Sequence, residues 1–365
     1  MATRVPPAWV VRPLLATRNA FARLHRRMVP AEVSLIERSL GVIDTKVIAV
    51  VADLGVADHL ASGPRTADEL AAACGADADA LARILRYLVG RGVFRRTRDG
   101  RFRNNRLSTL LRDTPGSTRA WAQFYGAEWH IAGWNQLGHA ARTGDAGIDA
   151  ALGHSFWEYL TNVNPEAGIV FDAAMAGTSS FQITKVVRKY DWSSCTRLCD
   201  IGGGTGTLLA AILAAHPSVE GVLFDLPEVV AKATPILDAA GVTKRVEVIP
   251  GNFFEAVPEA CDRYLLQAIV HDWDDDSCVQ FLTRCRDALT PTGRVLILEN
   301  VMPHHAGDHF TKAIDLEMLI DTGKGRERTA EEFTKLFERA GLKIEKVIPI
   351  ALSTLFVLDR AAASL

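Results

Sequence analysis

The sequence lacks the motifs that commonly bind metal ions or form redox-active thiol pairs. No CxxC pair occurs, and the six cysteines are Cys74, Cys195, Cys199, Cys261, Cys278 and Cys285. Disulfides persist mainly in oxidising compartments, so this spacing favours reduced thiols in a cytoplasmic protein. The grouped His304, His305 and His309 have no acid or cysteine at ligand spacing, which predicts a polar loop and no metal site.

Long apolar runs and a strong net charge are also absent. A membrane helix needs about 20 mostly apolar residues, but the best candidate, GVIDTKVIAVVADLGV, contains Asp44, Lys46 and Asp53. The chain has 41 basic and 43 acidic residues, so it has no overall positive field that would attract nucleic acid. We therefore expect neither stable membrane insertion nor a nucleic-acid partner.

Acidic residues are missing from the first 31 positions, which predicts a basic N-terminal arm over residues 1–30. The arm contains Arg4, Arg12, Arg18, Arg23, Arg26 and Arg27. It has the charge of a targeting peptide but lacks an apolar core followed by a cleavage site. A polybasic helix on a membrane surface is a second interpretation. We favour a third, a solvated arm that packs on a partner subunit.

Helices and a hairpin follow the arm. Thr66 begins Thr-Ala-Asp-Glu, the pattern of a capping box, and that helix ends at Gly75. Asp77 or Asp79 can cap the next helix. Two short alternating runs then flank Asp99-Gly100, which predicts a hairpin with a two-residue turn.

Together these elements indicate a mainly helical, winged-helix-like domain over residues 31–115. Such a domain can bind DNA, but the acids of its helices leave no clean basic recognition face, so we predict a dimerisation platform. Residues 116–190 stay helical and are rich in aromatics, which predicts a linker that lines a substrate pocket. The candidate substrate contacts are Trp157 in this linker and, further along the chain, Asp272 and Met318.

Strands and helices alternate over residues 191–365. A helical segment follows most of the apolar strand segments, such as VEGVLFDLP and RVLILENV. Alternation of this kind predicts an α/β fold, with a doubly wound, mostly parallel sheet and helices on both faces.

A glycine loop ends the first strand of this predicted sheet, in LCDIGGGTG. Gly202 and Gly204 let the backbone approach a ligand just before a helix begins. The spacing is not that of a dinucleotide site, because position 207 is threonine. Asp200, directly before the loop, suits a cationic amino group and would repel a pyrophosphate.

The next two strand ends complete a pocket for a nucleoside. Asp225 in LFDLP, followed by Leu226, comes about twenty residues after the glycines, where a carboxylate can accept two ribose hydroxyls. Asn252 and Phe253 in GNFF offer an edge and a face for adenine. A nucleoside with a cationic amino-acid tail fits this pocket, and S-adenosylmethionine is such a molecule.

Five motifs, DIGGGTG, FDLP, GNFF, HDWDDD and ERTAEEF, stand in this order along the chain. In order and spacing the sequence resembles the S-adenosylmethionine-dependent O-methyltransferases of plant caffeate and flavonoid metabolism and of bacterial polyketide and phenazine pathways. The resemblance covers nearly the whole chain. It implies a Rossmann-like methyltransferase domain over 191–365, an N-terminal dimerisation domain, a homodimer, and methyl transfer to a hydroxyl of a small aromatic substrate.

The resemblance also implies roles for individual residues. His271 falls at the family's general base, and Glu299 and Glu327 fall at the two acids that flank it. Met175 resembles a methionine that lies near the reacting groups. Gly202, Asp225, Asn252 and Phe253 fall at positions that contact the cofactor.

Two positions depart from the family pattern. Asn252 stands where aspartate is common, although an amide can still pair with adenine. Gln267 stands where plant members have lysine, four residues before the base, and it is a candidate cofactor contact.

The expected chemistry follows from proton affinity. A phenol has a pKa of about 10 and is mostly protonated at neutral pH, whereas an imidazole can accept its proton as the oxygen attacks. A carboxylate on the far ring nitrogen would stabilise the imidazolium. For His271 the alternative is a strand-end histidine without a role. Asp274, Asp275 and Asp276 after it suit the start of a helix.

Three other functions stay open at this point. A relative of the family can bind S-adenosylmethionine without methyl transfer, for example in hydroxylation. A winged-helix regulator with a ligand-binding domain would need a basic DNA-facing surface. A nicotinamide oxidoreductase is disfavoured by the glycine spacing.

Overall fold

The chain divides into two units in the computed structural model, which describes residues 17, 18, 20, 21, 24, 27–350 and 352–361. The N-terminal unit comprises Ala20–Ala132 and Trp157–Thr178, and the sheet unit includes Gly133–Phe156 and Ser179–Leu365. Most of the predicted basic arm, with Arg4, Arg12, Arg23 and Arg26, lies outside the described residues.

Helices dominate the chain as far as Lys189. The elements of this part are α1 (Ala31–Ser39), α2 (Gly41–Asp53), α3 (Val56–His59), α4 (Ala67–Cys74), α5 (Ala78–Gly90), β1 (Arg95–Arg96), β2 (Phe102–Arg103), a 3₁₀ helix at Ser108–Leu111, α6 (Arg119–Gly126), α7 (Glu128–Asn135), α8 (Leu137–Thr143), α9 (Gly147–Leu152), α10 (Phe156–Glu158), a π-helical turn at Tyr159–Val163 and α11 (Pro165–Lys189).

Strands and helices alternate from Arg197 onward. The elements of this part are β3 (Arg197–Ile201), α12 (Thr207–Ala215), β4 (Glu220–Asp225), α13 (Pro227–Val230), α14 (Thr234–Ala239), a 3₁₀ turn at Thr243–Arg245, β5 (Val246–Pro250), β6 (Cys261–Gln267), a 3₁₀ turn at Val270–Asp272, α15 (Asp275–Ala288), β7 (Leu289–Glu299), α16 (Phe310–Asp321), α17 (Ala330–Arg339), β8 (Leu342–Ile350) and β9 (Ser353–Arg360).

The N-terminal unit is mainly helical, as predicted, and its helix ends follow local sequence. Thr66 and Glu69 form the capping box of α4, and Gly75 ends that helix in the left-handed conformation. Asp77, rather than Asp79, caps α5 by accepting a hydrogen bond from Ala80. Capping of this kind needs only residues three positions apart, so the sequence alone predicts it.

The hairpin of this unit differs from the predicted two-residue turn. β1 and β2 pair antiparallel, but the Thr97 N–H donates to the Arg101 carbonyl, which makes the loop three residues long. Gly100, the last loop residue, has a φ of 88°. A type I turn followed by a left-handed glycine is the usual form of a three-residue loop, and Asp-Gly serves this form as well.

The sheet unit contains a seven-stranded sheet of order β5-β4-β3-β6-β7-β9-β8. The five strands from β5 to β7 are parallel, whereas β9 pairs antiparallel with both β7 and β8. This arrangement confirms the α/β, mostly parallel fold. The carboxyl ends of β3, β4, β6 and β7 meet at one edge, where ligands bind in open parallel sheets.

Both faces of the sheet are covered, because neighbouring strand residues point to opposite sides. Leu223 packs in one apolar cluster with Leu209 of α12, whereas the adjacent Val222 packs in a second cluster with Phe281 of α15. Burial on both faces holds the strand ends in place as the base of a site. Among the described residues, no helix is long and apolar enough to cross a membrane.

Candidate active site

His271 lies in a short turn between β6 and α15 whose backbone amides are held by a buried carboxylate. Glu299, the last residue of β7, accepts hydrogen bonds at Oε1 from the N–H groups of Ile269 (3.0 Å), Val270 (2.8 Å) and His271 (3.4 Å). Such amides have no partner within a 3₁₀ turn. Glu299 therefore fixes the backbone of His271, a role that sequence analysis did not find.

The carbonyl side of the same turn is held by a buried arginine that sequence analysis also missed. Arg328 donates from Nη1 to the Val270 carbonyl and from Nη2 to the Trp273 carbonyl, each at 2.8 Å. Its Nε donates to Asp275 Oδ1 at 2.9 Å. Because the guanidinium is fully buried, these partners must offset its desolvation. The only sequence signal was its place directly after Glu327.

The aspartates after the turn start a helix, as predicted. Asp274 is the N-cap of α15, and its Oδ1 accepts a hydrogen bond from the Ser277 N–H at 2.7 Å. That backbone hydrogen bond is the main reason that the pKa of Asp274 is lowered. Asp275 instead pairs with Arg328. The helix therefore starts at Asp275, four residues after the histidine.

Three carboxylates surround the imidazole of His271. Nδ1 lies 3.3 Å from Glu299 Oε2 and 3.4 Å from Glu327 Oε1, and Nε2 lies 3.4 Å from Asp272 Oδ1. All three acids are at least nine-tenths buried. The structure thus brings together the three residues predicted as base and flanking acids, although they are 28 and 56 positions apart in sequence.

Burial and mutual repulsion set the charges of this cluster. Burial alone would lower the pKa of His271, but the carboxylates of Glu299, Asp272 and Glu327 raise it to about 10. Burial raises the pKa of Glu299 to about 7 and that of Asp272 to about 6, against the opposing effect of His271. The surrounding carboxylates therefore favour the protonated form of His271.

The glycine loop after β3 has the geometry of a ligand cradle. Gly202 and Gly204 have φ values of 65° and 59°, and a Cβ at Gly204 would meet no atom within 4 Å. Asp225 accepts hydrogen bonds from the Gly204 N–H at 2.8 Å and the Leu226 N–H at 2.7 Å. A carboxylate offers about four lone-pair sites, which makes it a suitable acceptor for hydroxyl donors.

Asp200, at the end of β3, is a buried acid beside this loop. Burial and the nearby charge of Asp225 raise the pKa of Asp200 to about 7. A positively charged group bound here would stabilise the ionised carboxylate. Asp200, Asp225 and the open glycine loop therefore fit a nucleoside with a cationic amino-acid tail.

The predicted adenine residues lie in the turn after β5. Asn252 Oδ1 accepts a hydrogen bond from the Phe254 N–H at 3.0 Å, so the amide also closes this turn. Phe253 packs edge-on against Phe281, and its ring lies close to Gly202. Gln267 is the last residue of β6, at the same edge of the sheet.

The predicted substrate contacts lie in different parts of the chain. Asp272 is next to the imidazole, and Met318 is buried on α16 in the sheet unit. Met175 and Trp157 belong to the N-terminal unit, where Trp157 packs edge-on against Phe171. The role of these four residues in substrate binding stays a prediction.

Two family models match most of the chain. The model of the O-methyltransferase domain matches residues 134–343, and that of the O-methyltransferase dimerisation domain matches residues 36–114. The chain belongs to the O-methyltransferase family. This methyltransferase is therefore an enzyme, as the five ordered motifs had predicted.

Relatives of known activity methylate either oxygen or nitrogen. The methyltransferase is 40% identical over 311 residues to the mitomycin biosynthesis 6-O-methyltransferase of Streptomyces lavendulae, covering 85% of this chain and 88% of the relative. It is 33% identical over 330 residues to the phenazine-1-carboxylate N-methyltransferase of Pseudomonas aeruginosa, covering 90% of this chain and 97% of the relative.

Solved structures confirm the predicted fold and cofactor. The mitomycin 7-O-methyltransferase MmcR matches with a TM-score of 0.86 at 38% identity, over 94% of this chain and 100% of that one. NcsB1, from neocarzinostatin biosynthesis, was crystallised with S-adenosylmethionine and 2-hydroxy-5-methyl naphthoic acid. It matches with a TM-score of 0.76 at 34% identity, over 87% of this chain and 96% of that one. The enzyme uses S-adenosylmethionine.

The raised pKa of Asp200 predicts that cofactor affinity depends on pH. As pH falls below about 7, Asp200 becomes protonated and loses its attraction for a cationic amino group. We expect S-adenosylhomocysteine to bind more weakly by up to about tenfold for each pH unit below 7, because one proton is linked to binding. Isothermal titration calorimetry at pH 5.5, 6.5 and 7.5 measures this.

The variant Asp200→Asn should bind S-adenosylhomocysteine weakly at every pH and show a flat profile, since it has no carboxyl to titrate. Asp238→Asn, which changes an exposed acid on α14, is the matched control and should behave as the unmodified enzyme. A profile that keeps its slope in Asp200→Asn would contradict the assignment of Asp200 to the amino group.

Proposed function

We propose that this enzyme transfers a methyl group from S-adenosylmethionine to a hydroxyl of a small aromatic molecule, with His271 as the general base. The observation that carries the proposal is a single, largely buried imidazole among three buried carboxylates. A histidine without a role would not need three buried acids, whose desolvation is costly.

The two ring nitrogens have different surroundings, and this assigns their roles. Nδ1 faces two acids, Glu299 and Glu327, whereas Nε2 faces Asp272 alone, so we assign the retained proton to Nδ1 and the acceptance of the substrate proton to Nε2. Bound S-adenosylmethionine supplies a methyl group already activated by its positively charged sulfur. His271 removes the hydroxyl proton as the oxygen attacks, and Glu299 and Glu327 stabilise the imidazolium that forms.

The high pKa of His271 suits a phenolic substrate. A phenol has a pKa of about 10, close to the pKa of about 10 of His271. Neutral imidazole with phenol contains as many protons as imidazolium with phenolate, so the proton moves between groups of matched affinity. The resting site must lose one proton before it can react with a phenol, so the rate should rise with pH above neutrality.

The substrate that we propose is flat and aromatic. Relatives act in mitomycin biosynthesis and on phenazine-1-carboxylate, and NcsB1 binds a naphthoic acid. Methylation of a ring nitrogen is the second candidate function, because one relative is an N-methyltransferase. A nitrogen lone pair needs no base, so the buried His271 cluster favours oxygen as the acceptor.

We assign the cofactor contacts by the chemistry of each strand end. Asp225 and Leu226 serve the ribose, and Asn252 with Phe253 serves adenine. Asp200 serves the amino group of the methionine part. Gly202, Gly204 and Gln267 are further proposed contacts to the cofactor. These assignments rest on the position of the residues at the carboxyl edge of the sheet.

We also propose that the enzyme is a homodimer in the cytoplasm. Large apolar side chains on α1 and α2 are exposed, among them Ile36 and Val42, within the residues matched by the dimerisation domain. Exposed apolar patches of this kind often mark an interface. All six cysteines are free thiols, which supports a reducing compartment.

Replacing the base should separate catalysis from cofactor binding. For His271→Ala we expect turnover to fall by about a hundredfold or more, because no group then accepts the hydroxyl proton. The affinity for S-adenosylhomocysteine should stay unchanged. Mass spectrometry on a panel of hydroxynaphthoates and hydroxyphenazines, each with a nitrogen-only analogue, measures the methyl gain. Unchanged turnover of every phenol would remove the base assignment, and transfer to the nitrogen analogues alone would favour N-methylation.

The dependence of kcat/KM on pH should show how the carboxylates around His271 change its pKa. We expect kcat/KM to rise with pH along a limb whose apparent pKa lies above the ordinary value of about 6.5. In Glu299→Gln this limb should move to lower pH, since one negative charge beside the imidazole is lost while Oε1 still accepts the three amides. A limb that stays in place would show that another group titrates. Glu345→Gln, on β8, is the exposed control.

A further inference from the structure

Within the sheet unit, three uncharged polar side chains form a row of hydrogen bonds that ends at Glu327. Gln182 Nε2 donates to Ser353 Oγ at 2.7 Å, Ser353 Oγ donates to Asn300 Oδ1 at 2.7 Å, and Asn300 Nδ2 donates to Glu327 Oε1 at 3.2 Å. These residues come from α11, from the start of β9 and from the position after β7. Sequence analysis identified Glu327 but none of the other three, which we name the Gln182–Ser353–Asn300 row.

The direction of each hydrogen bond in the row follows from Glu327. An ionised carboxylate only accepts, so the amide nitrogen of Asn300 must face it and the amide oxygen must face Ser353. Ser353 therefore donates to Asn300 and accepts from Gln182. Because every bond donates toward Glu327, the row has one consistent orientation and ends at a negative charge.

The carboxylate oxygen that Asn300 contacts is the one that faces the imidazole. Glu327 Oε1 lies 3.4 Å from His271 Nδ1. The other oxygen, Oε2, is buried and has no hydrogen-bond partner among the described residues. Asn300 thus donates to the same carboxylate oxygen that faces the imidazole.

The two acids beside Nδ1 are held in different ways. Glu299 is fixed by three backbone amides of the His271 turn. Glu327 receives no such set of backbone amides at its side chain: its own backbone N–H donates to Asp315 Oδ1 at 2.9 Å, and its Oε1 accepts from the Asn300 amide at 3.2 Å. Asn300 is therefore the uncharged hydrogen-bond donor that the structure places on the Glu327 carboxylate.

We propose that Asn300 is a positioning residue for methyl transfer, which holds Glu327 Oε1 against His271 Nδ1, and that Ser353 fixes the amide of Asn300 for this task. The proposal rests on the proposed role of His271 as the base. A residue that orients an acid beside a base works as the third group of a catalytic triad does, without contacting the substrate.

Several charged groups act on the pair formed by His271 and Glu327. Their effects on the pH profile must be distinguished from the effect of Asn300. Glu299 from β7 and Asp272 from the turn face His271. His309, at the N-cap of α16, interacts electrostatically with Glu327. Asn300 is uncharged, so its replacement changes the position of a charge and not the number of charges.

The test compares Asn300→Ala with Glu327→Gln, alone and combined. In Asn300→Ala we expect kcat to fall between about tenfold and a hundredfold, because a small misplacement of a catalytic group is costly. The rising limb of the kcat/KM profile should move to lower pH, since Glu327 no longer stabilises the imidazolium. Asn300→Ala should add almost nothing in the Glu327→Gln background, where the oriented charge is already absent.

Ser353→Ala should produce the same changes to a smaller degree, and it carries the test if Asn300→Ala does not fold. Asn135→Ala, which removes an exposed amide at the end of α7, is the matched control and should keep the rate and the pH profile. Additive losses in the double variant, or a lower kcat with an unmoved pH profile, would overturn the proposal. The assignment of His271 as the base is tested separately, by His271→Ala. Undiminished turnover in that variant would contradict the base assignment itself.

Discussion

The contact on which the site depends is the hydrogen bonding of one buried carboxylate oxygen to three consecutive backbone amides. Glu299 Oε1 holds the amides of Ile269, Val270 and His271, and this fixes the turn that carries the imidazole. Its other oxygen faces His271 Nδ1. One side chain thus positions the imidazole and helps to raise its pKa.

Arg328 balances this arrangement from the opposite side of the turn. Its guanidinium binds two carbonyls and Asp275, so the turn between β6 and α15 is held by a buried carboxyl group at its amides and a buried guanidinium at its carbonyls. Burial of either group costs desolvation free energy, and each group has several polar partners that offset this cost. A turn fixed in this way keeps the imidazole in place without help from a regular strand or helix.

The cluster keeps excess negative charge even when His271 is protonated, because three carboxylates face one imidazolium. Such a site stabilises an imidazolium at position 271. The same principle holds at β3, where the buried Asp200 suits a cationic group.

Features that depend on neighbouring residues were predictable from the sequence. The capping box at Thr66, the N-cap at Asp274, the glycine loop and the strand-end acids all follow from spacings of a few residues, and the alternation of strand and helix predicted the parallel sheet. Tertiary structure alone decided the partners of Arg328, the order of the antiparallel β8–β9 edge, and the row that joins Gln182 to Ser353 across 171 positions. No periodic pattern encodes such contacts, because they form only when strand ends distant in sequence meet at one edge of the folded sheet.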